Sequence, residues 1–167
     1  MNSQPDTTKL PYRQGVNAFV IDGQGNFLLV QKQSYGEHQW DIPGGGLDEG
    51  EALEKGILRE LEEELGTQKF KILAKSPHVD RYEWPKEARE RGHKKHSIWW
   101  RGQEKYQYLV KFSGKKEEIK PQEEEIRLIK WVPYEQLEEH MIFDGQWDSA
   151  KEALESFRTE GLLSKTP

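Results

Sequence analysis

At 167 residues the chain is long enough for one domain with a buried core, and its 11% of aromatic residues is too high for a disordered protein even though 33% of residues are charged. The absence of cysteine excludes disulfides, thiolate zinc sites and cysteine nucleophiles. The formal net charge of −5 argues against binding duplex DNA, or nucleic acid in general, through a basic face, although acidic side chains that hold divalent cations can create a positive site inside such a protein.

The N-terminal part of the chain predicts a hairpin. Residues 1–11 are polar, contain proline and lack the basic-then-apolar order of a signal peptide, so we expect a flexible segment followed by a single domain at 12–161. Strands are predicted at 14–21 and 27–30, around a turn at 22–26. No apolar run approaches the length that crosses a bilayer, so a cytoplasmic protein is expected. No feature indicates an oligomer, and a monomer is favoured.

The rest of the chain predicts alternating helices and strands. A helix from about 51 to 65 is expected to end at Gly66, which suits a C-terminal cap. The charged, Trp-rich segment 85–102 is predicted to be an ordered surface loop. Further strands are predicted at 69–75, 105–112 and 126–132, and further helices at 133–140 and 146–160. This order indicates an α/β (α+β) fold in which a mixed sheet lies between helices.

The helix predicted at 51–65 carries three carboxylates on one face. At about 100° per residue, Glu60, Glu63 and Glu64 fall within about a quarter of the circumference. Gly56 lies one turn before Glu60, where the missing side chain is expected to leave space beside the acids. An apolar stripe next to this face would seat the helix on the sheet, and it consists of Leu53, Ile57, Leu58, Leu61 and Leu65.

Bound cations are one explanation for this acidic face. Carboxylate and carbonyl oxygens suit Mg²⁺, with Mn²⁺ as a possible substitute, and the carbonyl of Gly45 in the preceding glycine run is a candidate ligand. Arg59 is a candidate for holding one glutamate in place, and Glu51 favours the helix N-terminus within reach of Arg59. The alternative is a solvated face, since Glu-rich helices are common on surfaces. The complete string at fixed spacing favours the first explanation.

Residues 45–67 resemble the Nudix box, G-x5-E-x7-R-E-U-x-E-E-x-G-U, in which U is an aliphatic residue. They match at every charged and glycine position and depart only at Thr67, where the family has an aliphatic residue. The chain is therefore identified as a member of the Nudix hydrolase family. The resemblance implies a Nudix-type α/β/α sandwich and Mg²⁺-dependent hydrolysis of a phosphoanhydride bond. It implies structural roles for Glu51 and Gly66, and its implied catalytic residues are Arg59, Glu60, Glu63 and Glu64.

Stretches outside the box resemble the Nudix subgroup that contains RNA pyrophosphohydrolases and asymmetric diadenosine tetraphosphate hydrolases. These stretches are residues 12–16, 40–43, 81–85 and 100–106. In that subgroup a glutamate before the penultimate strand joins the metal ligands, and the alignment places Glu125 there, with Glu123 and Glu124 as alternatives if the register slips. The implied metal ligands are thus the Gly45 carbonyl, Glu60, Glu63, Glu64 and Glu125.

The same resemblance implies substrate contacts. Tyr82 and Phe143 match aromatic residues that stack on a base, against the alternative that each packs in the core. Lys105 and Arg101 are candidate phosphate contacts, against the alternative of solvated charges at a strand edge. His93 and His96 are expected to be exposed, with phosphate contact as the lesser possibility.

Several substrates fit this pattern. The leading candidates are dinucleoside polyphosphates, with diadenosine tetraphosphate cut to ATP and AMP, and the 5′ end of triphosphorylated RNA. Gly44 stands where the subgroup has glutamine, no basic residue lies near Ser34, and Asp144 stands where a lysine would help to hold phosphates. These departures keep a (d)NTP-sanitising pyrophosphohydrolase open as an alternative. A non-catalytic Nudix-fold nucleotide-binding module is the alternative from another class.

Overall fold

The computed structural model describes residues 4–164, which form a mixed sheet with helices against both faces. The strands are β1 (Tyr12–Ile21), β2 (Phe27–Lys32), β3 (Gly44–Gly46), β4 (Phe70–Glu83), β5 (Gly102–Phe112) and β6 (Ile126–Val132). The helices are α1 (Leu53–Leu65), α2 (Lys86–His96), α3 (Leu137–His140) and α4 (Gln146–Thr159). The predicted fold class, a mixed sheet between helices, is confirmed.

The sheet has the strand order β4-β5-β1-β2-β6, with β3 pairing with β1 beside this path. The central pair, β1 and β5, is parallel from Tyr12↔Gly102 to Ile21↔Lys111, and the other pairs are antiparallel. Because parallel strands need a crossover connection, the chain between β1 and β5 includes α1, which packs on one face of the sheet. This connection brings the glycines of β3 and the start of α1 to the same end of β1.

Alternation along β1 separates two cores. Val16 and Val20 pack toward α1, whose Leu61 is fully buried against them. Phe19 points to the opposite face and meets Phe157 of α4 edge-to-face, with ring centroids 6.1 Å apart. Burial of both faces explains why β1 reads as an almost continuous apolar run.

Helix α1 ends as the sequence indicates. Gly66 adopts the left-handed conformation (φ 72°), and its N–H donates to the Glu62 carbonyl at 2.9 Å. A Cβ at residue 66 would lie 2.8 Å from the Lys120 carbonyl oxygen, so the closeness of the 120–126 segment also requires glycine here. The cap therefore fixes where the chain leaves the acidic helix.

The segment 85–102 differs from the sequence-based prediction, because Lys86–His96 forms helix α2 rather than a loop. No apolar stripe marks this helix, and none of its residues is fully buried, so hydrophobic periodicity gave no signal. Pro85 at its start suits a helix N-terminus, and the Arg89 guanidinium holds the first turn by donating to the Trp84 carbonyl. Strand β4 also extends further than predicted, to Glu83.

The N-terminal residues are only partly described. Residues 1–3 of the predicted flexible segment 1–11 lie outside the described residues, while Thr7–Lys9 form a short 3-10 turn capped by Asp6. The domain bounds 12–161 stay a prediction. Within residues 4–164, no helix is both long and apolar enough to span a bilayer.

Candidate active site

Arg59 organises the charged face of α1. Its Nε and Nη2 donate to the Glu51 carboxylate at 2.7 and 2.8 Å, and its Nη1 donates to Glu60 at 3.0 Å and to Glu63 at 3.2 Å. Nη2 also donates to the Gly46 carbonyl at 3.0 Å and so joins the helix to strand β3. The hydrogen bonds from Arg59 lower the pKa of Glu51 to about 2, although partial burial acts in the opposite direction.

Glu64 is the buried carboxylate of the set, with only 3% of its surface exposed. Its Oε2 accepts a hydrogen bond from the Gly44 N–H at 3.2 Å. Burial raises the pKa of Glu64 to about 8, and the charges of Glu60 and Glu125 add to this rise, while Lys32 and the Gly44 N–H oppose it. Without a cation, Glu64 therefore carries a proton near neutral pH.

Glu60 lies directly against the glycine strand. A Cβ built on Gly45 would lie 2.4 Å from the Glu60 carboxylate, so the missing side chain makes room for this acid. Burial raises the pKa of Glu60, and Arg59 partly offsets the rise. Gly56 has a different role from the one expected, because it is buried and a Cβ there would lie 2.3 Å from Leu47 Cδ2. Gly56 makes room for Leu47 and for the Glu51 carboxylate, whose Oε1 would lie 3.1 Å from such a Cβ, rather than for Glu60, Glu63 and Glu64.

The backbone oxygens of β3 point in alternating directions. The Ala18 N–H donates to the Pro43 carbonyl and the Leu47 N–H to the Gln14 carbonyl, which puts Gly45 opposite Val16 in the hydrogen-bonded pair between them. The Gly45 carbonyl thus faces β1. In the next pair the N–H of Gly44 faces away from β1 toward Glu64, and the Gly44 carbonyl lies on that same side of the strand.

The segment 120–126 carries Glu125 to the end of α1. The Lys120 N–H donates to the Leu65 carbonyl at 2.8 Å, and the Gln122 N–H donates to the Glu64 carbonyl at 2.9 Å. On the other side, the Gln33 N–H donates to the Glu125 carbonyl at 2.8 Å. The negative charge of Glu125 contributes to the raised pKa values of Glu60 and Glu64, so its carboxylate lies close enough to act on both.

The donors fit a hard divalent cation by their chemistry, since all of them are oxygens on adjacent elements. Their side chains are not gathered around one point, and within residues 4–164 no three Asp, Glu, His or Cys side chains are placed to hold an ion together. Arg59 accounts for this, because its guanidinium holds Glu60 and Glu63. A cation shared by Glu60, Glu63 and Glu64 would require the first two carboxylates to turn away from Arg59.

A cluster of polar and aromatic side chains, termed the pocket below, lies close to Glu64 and consists of Tyr35, Asp41, Tyr82, Lys105 and Phe143. Tyr35 meets Phe143 edge-to-face with ring centroids 5.1 Å apart, and its hydroxyl donates to the Asp41 carboxylate at 3.4 Å. The Lys105 ammonium lies 5.8 Å from the centre of the Tyr82 ring. Tyr82 is 39% exposed, which leaves ring surface free for a ligand.

Charge links this pocket to the acids. Burial raises the pKa of Tyr35, and the charges of Asp41, Tyr82 and Glu64 contribute to the rise. The pKa of Lys105 is also raised: burial lowers it, but the Asp41 carboxylate and the Tyr82 hydroxyl outweigh that effect. The Lys105 ammonium thus stays charged beside the aromatic rings, where it can neutralise a phosphate.

The structure brings together most of the residues singled out from the sequence. Tyr82, Lys105 and Phe143 belong to the pocket, whereas the contacts of Arg101 among the described residues are made elsewhere. Its guanidinium pairs with Glu83 and lies 5.5 Å from the centre of the Tyr12 ring. The role of Arg101 as a phosphate contact therefore stays a prediction.

Sequence reasoning missed Lys32, Tyr35 and Asp41. Lys32 lies at the end of β2, where its charge lowers the pKa of Glu64, and Tyr35 and Asp41 lie in the loop that follows. Lys32 and Tyr35 belong to no motif with fixed spacing, whereas Asp41 lies in the stretch 40–43 that resembles the subgroup but was given no role. For Tyr35 the available signal was its position in the polar loop between β2 and the glycine run.

Comparison with known proteins assigns the family. The sequence profile of the NUDIX domain matches residues 11–153, and this chain belongs to the Nudix family. An RNA pyrophosphohydrolase from a Nitratiruptor species is 31% identical over 160 residues, which cover 93% of this chain and 99% of that protein. Nudix hydrolase 26, chloroplastic, from Arabidopsis thaliana is 35% identical over 108 residues, which cover 65% of this chain and only half of that protein.

Solved structures show the same fold at low sequence identity. An Ap4A hydrolase of C. elegans in a binary complex has a TM-score of 0.61 at 16% identity, covering 87% of this chain and 98% of that one. The dihydroneopterin triphosphate pyrophosphohydrolase of E. coli has a TM-score of 0.65 at 12% identity, covering 87% of this chain and 99% of that one. The predicted Nudix-type sandwich is confirmed.

Proposed function

We propose that this chain is a divalent-metal-dependent pyrophosphohydrolase that removes pyrophosphate from 5′-triphosphorylated RNA. The observation that carries the proposal is the placement of a carboxylate set on α1 next to a pocket that offers aromatic rings and one ammonium group. Such a site suits a base followed by a chain of phosphates. The similarity to the Nitratiruptor protein, which covers nearly the whole of both chains, supports an RNA end as the substrate.

The metal ligands in this proposal are Glu60, Glu63, Glu64 and Glu125 with one glycine carbonyl. We assign the carbonyl to Gly44 in place of Gly45, which the sequence favoured, because the Gly44 side of the strand faces Glu64. Mg²⁺ suits this oxygen set, and Mn²⁺ is a possible substitute. A bound divalent cation would neutralise phosphate oxygens and lower the pKa of the attacking water.

The chain's own side chains position the substrate. Tyr82 and Phe143 hold the first base between aromatic surfaces, and Lys105 neutralises a phosphate next to it. Arg59 keeps α1 fixed to β3 through Glu51 and the Gly46 carbonyl, so the glutamates remain on the side of the helix that faces the glycines. A carboxylate of this set accepts the proton of the attacking water.

The test compares Glu63→Gln with Glu62→Gln, a matched change at the neighbouring exposed residue of the same helix. Each variant is incubated with triphosphorylated RNA, with diadenosine tetraphosphate and with nucleoside triphosphates, with and without Mg²⁺, and products are separated by anion exchange. We expect Mg²⁺-dependent release of pyrophosphate from RNA, lowered on the order of a hundredfold or more by Glu63→Gln and unchanged by Glu62→Gln.

Each substrate tests the proposal differently. Cleavage of diadenosine tetraphosphate to ATP and AMP at a higher kcat/KM than RNA would identify a dinucleoside polyphosphate hydrolase. A preference for free triphosphates would identify a nucleotide-sanitising enzyme. Binding of these ligands by a folded protein with no turnover would identify a non-catalytic binding module.

A further inference from the structure

Helix α2 gives the protein a local positive surface despite the net charge of −5 of the whole chain. It carries five Lys and Arg residues and two Glu residues, so its formal charge is +3 with both histidines neutral. Arg91, Lys94 and Lys95 are exposed, and none of them takes part in an ion pair among residues 4–164.

Aromatic rings accompany these charges. His93 stacks on Trp99 with centroids 4.1 Å apart and planes 7° from parallel, and His96 meets Trp100 at 5.2 Å. Both tryptophans are only half-buried, so part of each ring surface faces solvent beside the lysines. A surface that combines exposed cations with accessible aromatic rings suits single-stranded nucleic acid.

Arg13 connects this surface to the active site. Its guanidinium lies 5.3 Å from the centre of the Trp100 ring, and a Cβ on Gly46 would lie 2.3 Å from its Nη2. Gly46 is the residue whose carbonyl accepts a hydrogen bond from Arg59. Arg13 also lies in register with Gln103, the residue that pairs with Tyr82 on the next strand. Arg13 therefore lies between Trp100, which follows α2, and the strand position that pairs with Tyr82.

Helix stability alone explains only part of this arrangement. Basic residues in the last turn of α2 interact favourably with the negative end of the helix dipole. That effect accounts for Lys94 and Lys95. It does not account for Arg91 in the middle of the helix or for tryptophans with solvent-accessible rings on the segment that follows.

We propose that the α2 surface, made of Arg91, Lys94, Lys95, Trp99 and Trp100, binds the single-stranded RNA that follows the 5′ polyphosphate. This inference rests on the proposed function. A nucleoside triphosphate or a dinucleoside tetraphosphate ends after one or two nucleosides, whereas an RNA chain continues past Arg13 onto the lysines. The surface therefore favours RNA over small nucleotides through phosphate contacts and ring stacking, without reading the base sequence.

The first test replaces Lys94 and Lys95 by glutamine in the full chain. The matched control is Lys71→Gln with Lys151→Gln, which removes two exposed lysines from β4 and α4. The kcat/KM is measured against salt for two substrates, a triphosphorylated RNA of about 20 nucleotides and a triphosphorylated dinucleotide. We expect the α2 variant to lower kcat/KM for the long RNA by about tenfold at low salt and to reduce the salt slope by about 1.4. The dinucleotide should be unaffected.

A second variant, Trp99→Leu, tests stacking. We expect it to lower kcat/KM for the long RNA. The salt slope should stay at the wild-type value, because the substitution removes no charge. Equal effects of the α2 and control variants on the long RNA would overturn the proposal. The proposal would also be overturned if the α2 variant lost the binding of wild type to anionic phospholipid vesicles while its RNA kinetics stayed unchanged. That result would assign α2 to a membrane surface.

The outcomes separate this inference from the proposed function. If wild-type protein cleaves neither RNA substrate, the proposed function fails. If it cleaves both with the same kcat/KM, and the α2 variant changes neither value, the proposed function stands and the α2 surface does not bind RNA.

Discussion

Replacing Glu64 by glutamine is expected to stabilise the metal-free protein while abolishing activity. Burial raises the pKa of Glu64 to about 8, whereas the unfolded chain returns it to the usual value near 4.5. Between these two values the folded protein holds a proton that unfolding must release, so the free energy of unfolding falls as pH rises. Because one pKa unit corresponds to about 1.36 kcal/mol, about 3 kcal/mol is lost between about pH 5.5 and 7.5.

Glutamine keeps the shape of the protonated side chain and has no proton to lose. Urea unfolding in EDTA at both pH values should therefore show that the free energy of unfolding of the variant, relative to wild type, grows by about 3 kcal/mol as pH rises. Adding Mg²⁺ should stabilise wild type more than the variant, because the cation replaces the proton on Glu64. Parallel stability curves for the two proteins in EDTA would refute the argument that burial holds Glu64 protonated.

Three further predictions concern neighbouring residues. Arg59→Ala should lower the free energy of unfolding, measured in urea, by about 2 kcal/mol, because it removes the guanidinium that pairs with the Glu51 carboxylate, which is only 9% exposed. An unchanged midpoint of urea unfolding would contradict this. Tyr82→Ala should lower kcat/KM about tenfold or more with an unchanged circular dichroism spectrum, because one stacking surface is lost; full activity would remove Tyr82 from the pocket. Gly45→Ala should reduce turnover with little loss of stability, since the new methyl group displaces the Glu60 carboxylate. Kinetics and thermal melts test the two halves of this prediction, and unchanged turnover would contradict it.

Sequence patterns correctly predicted the elements in which the local conformational preference of the residues agrees with their packing. The predicted strand 126–132 coincides with β6, and Gly66 caps α1 in the left-handed conformation that its position after the Nudix helix implies. In both cases the local preference agrees with the tertiary environment, since one is an edge strand rich in β-branched and aromatic residues and the other a cap closed by the 120–126 segment.

Sequence-based prediction failed where an element or a side chain is held in place by a few contacts outside the periodic pattern. Helix α2 has no apolar stripe, and its first turn is held by Arg89 and the carbonyl of Trp84, which no periodicity reveals. Tyr35 and Asp41 could not be placed in the pocket for a related reason. Their partners, Phe143 and Lys105, are far away along the chain and meet them only because β2, β5 and the loop before α4 converge.

The parallel pairing of β1 with β5 has a consequence for how the chain is made. Hydrogen-bonding partners such as Gln14 and Glu104 are separated by 90 residues. The edge of β1 that pairs with β5 therefore stays unpaired until β5 has been synthesised. Contacts of such long sequence separation slow folding, because the loop must close before they form. On the ribosome the apolar run of β1 would remain accessible to chaperones, and truncation anywhere before residue 112 is expected to yield an aggregation-prone nascent chain.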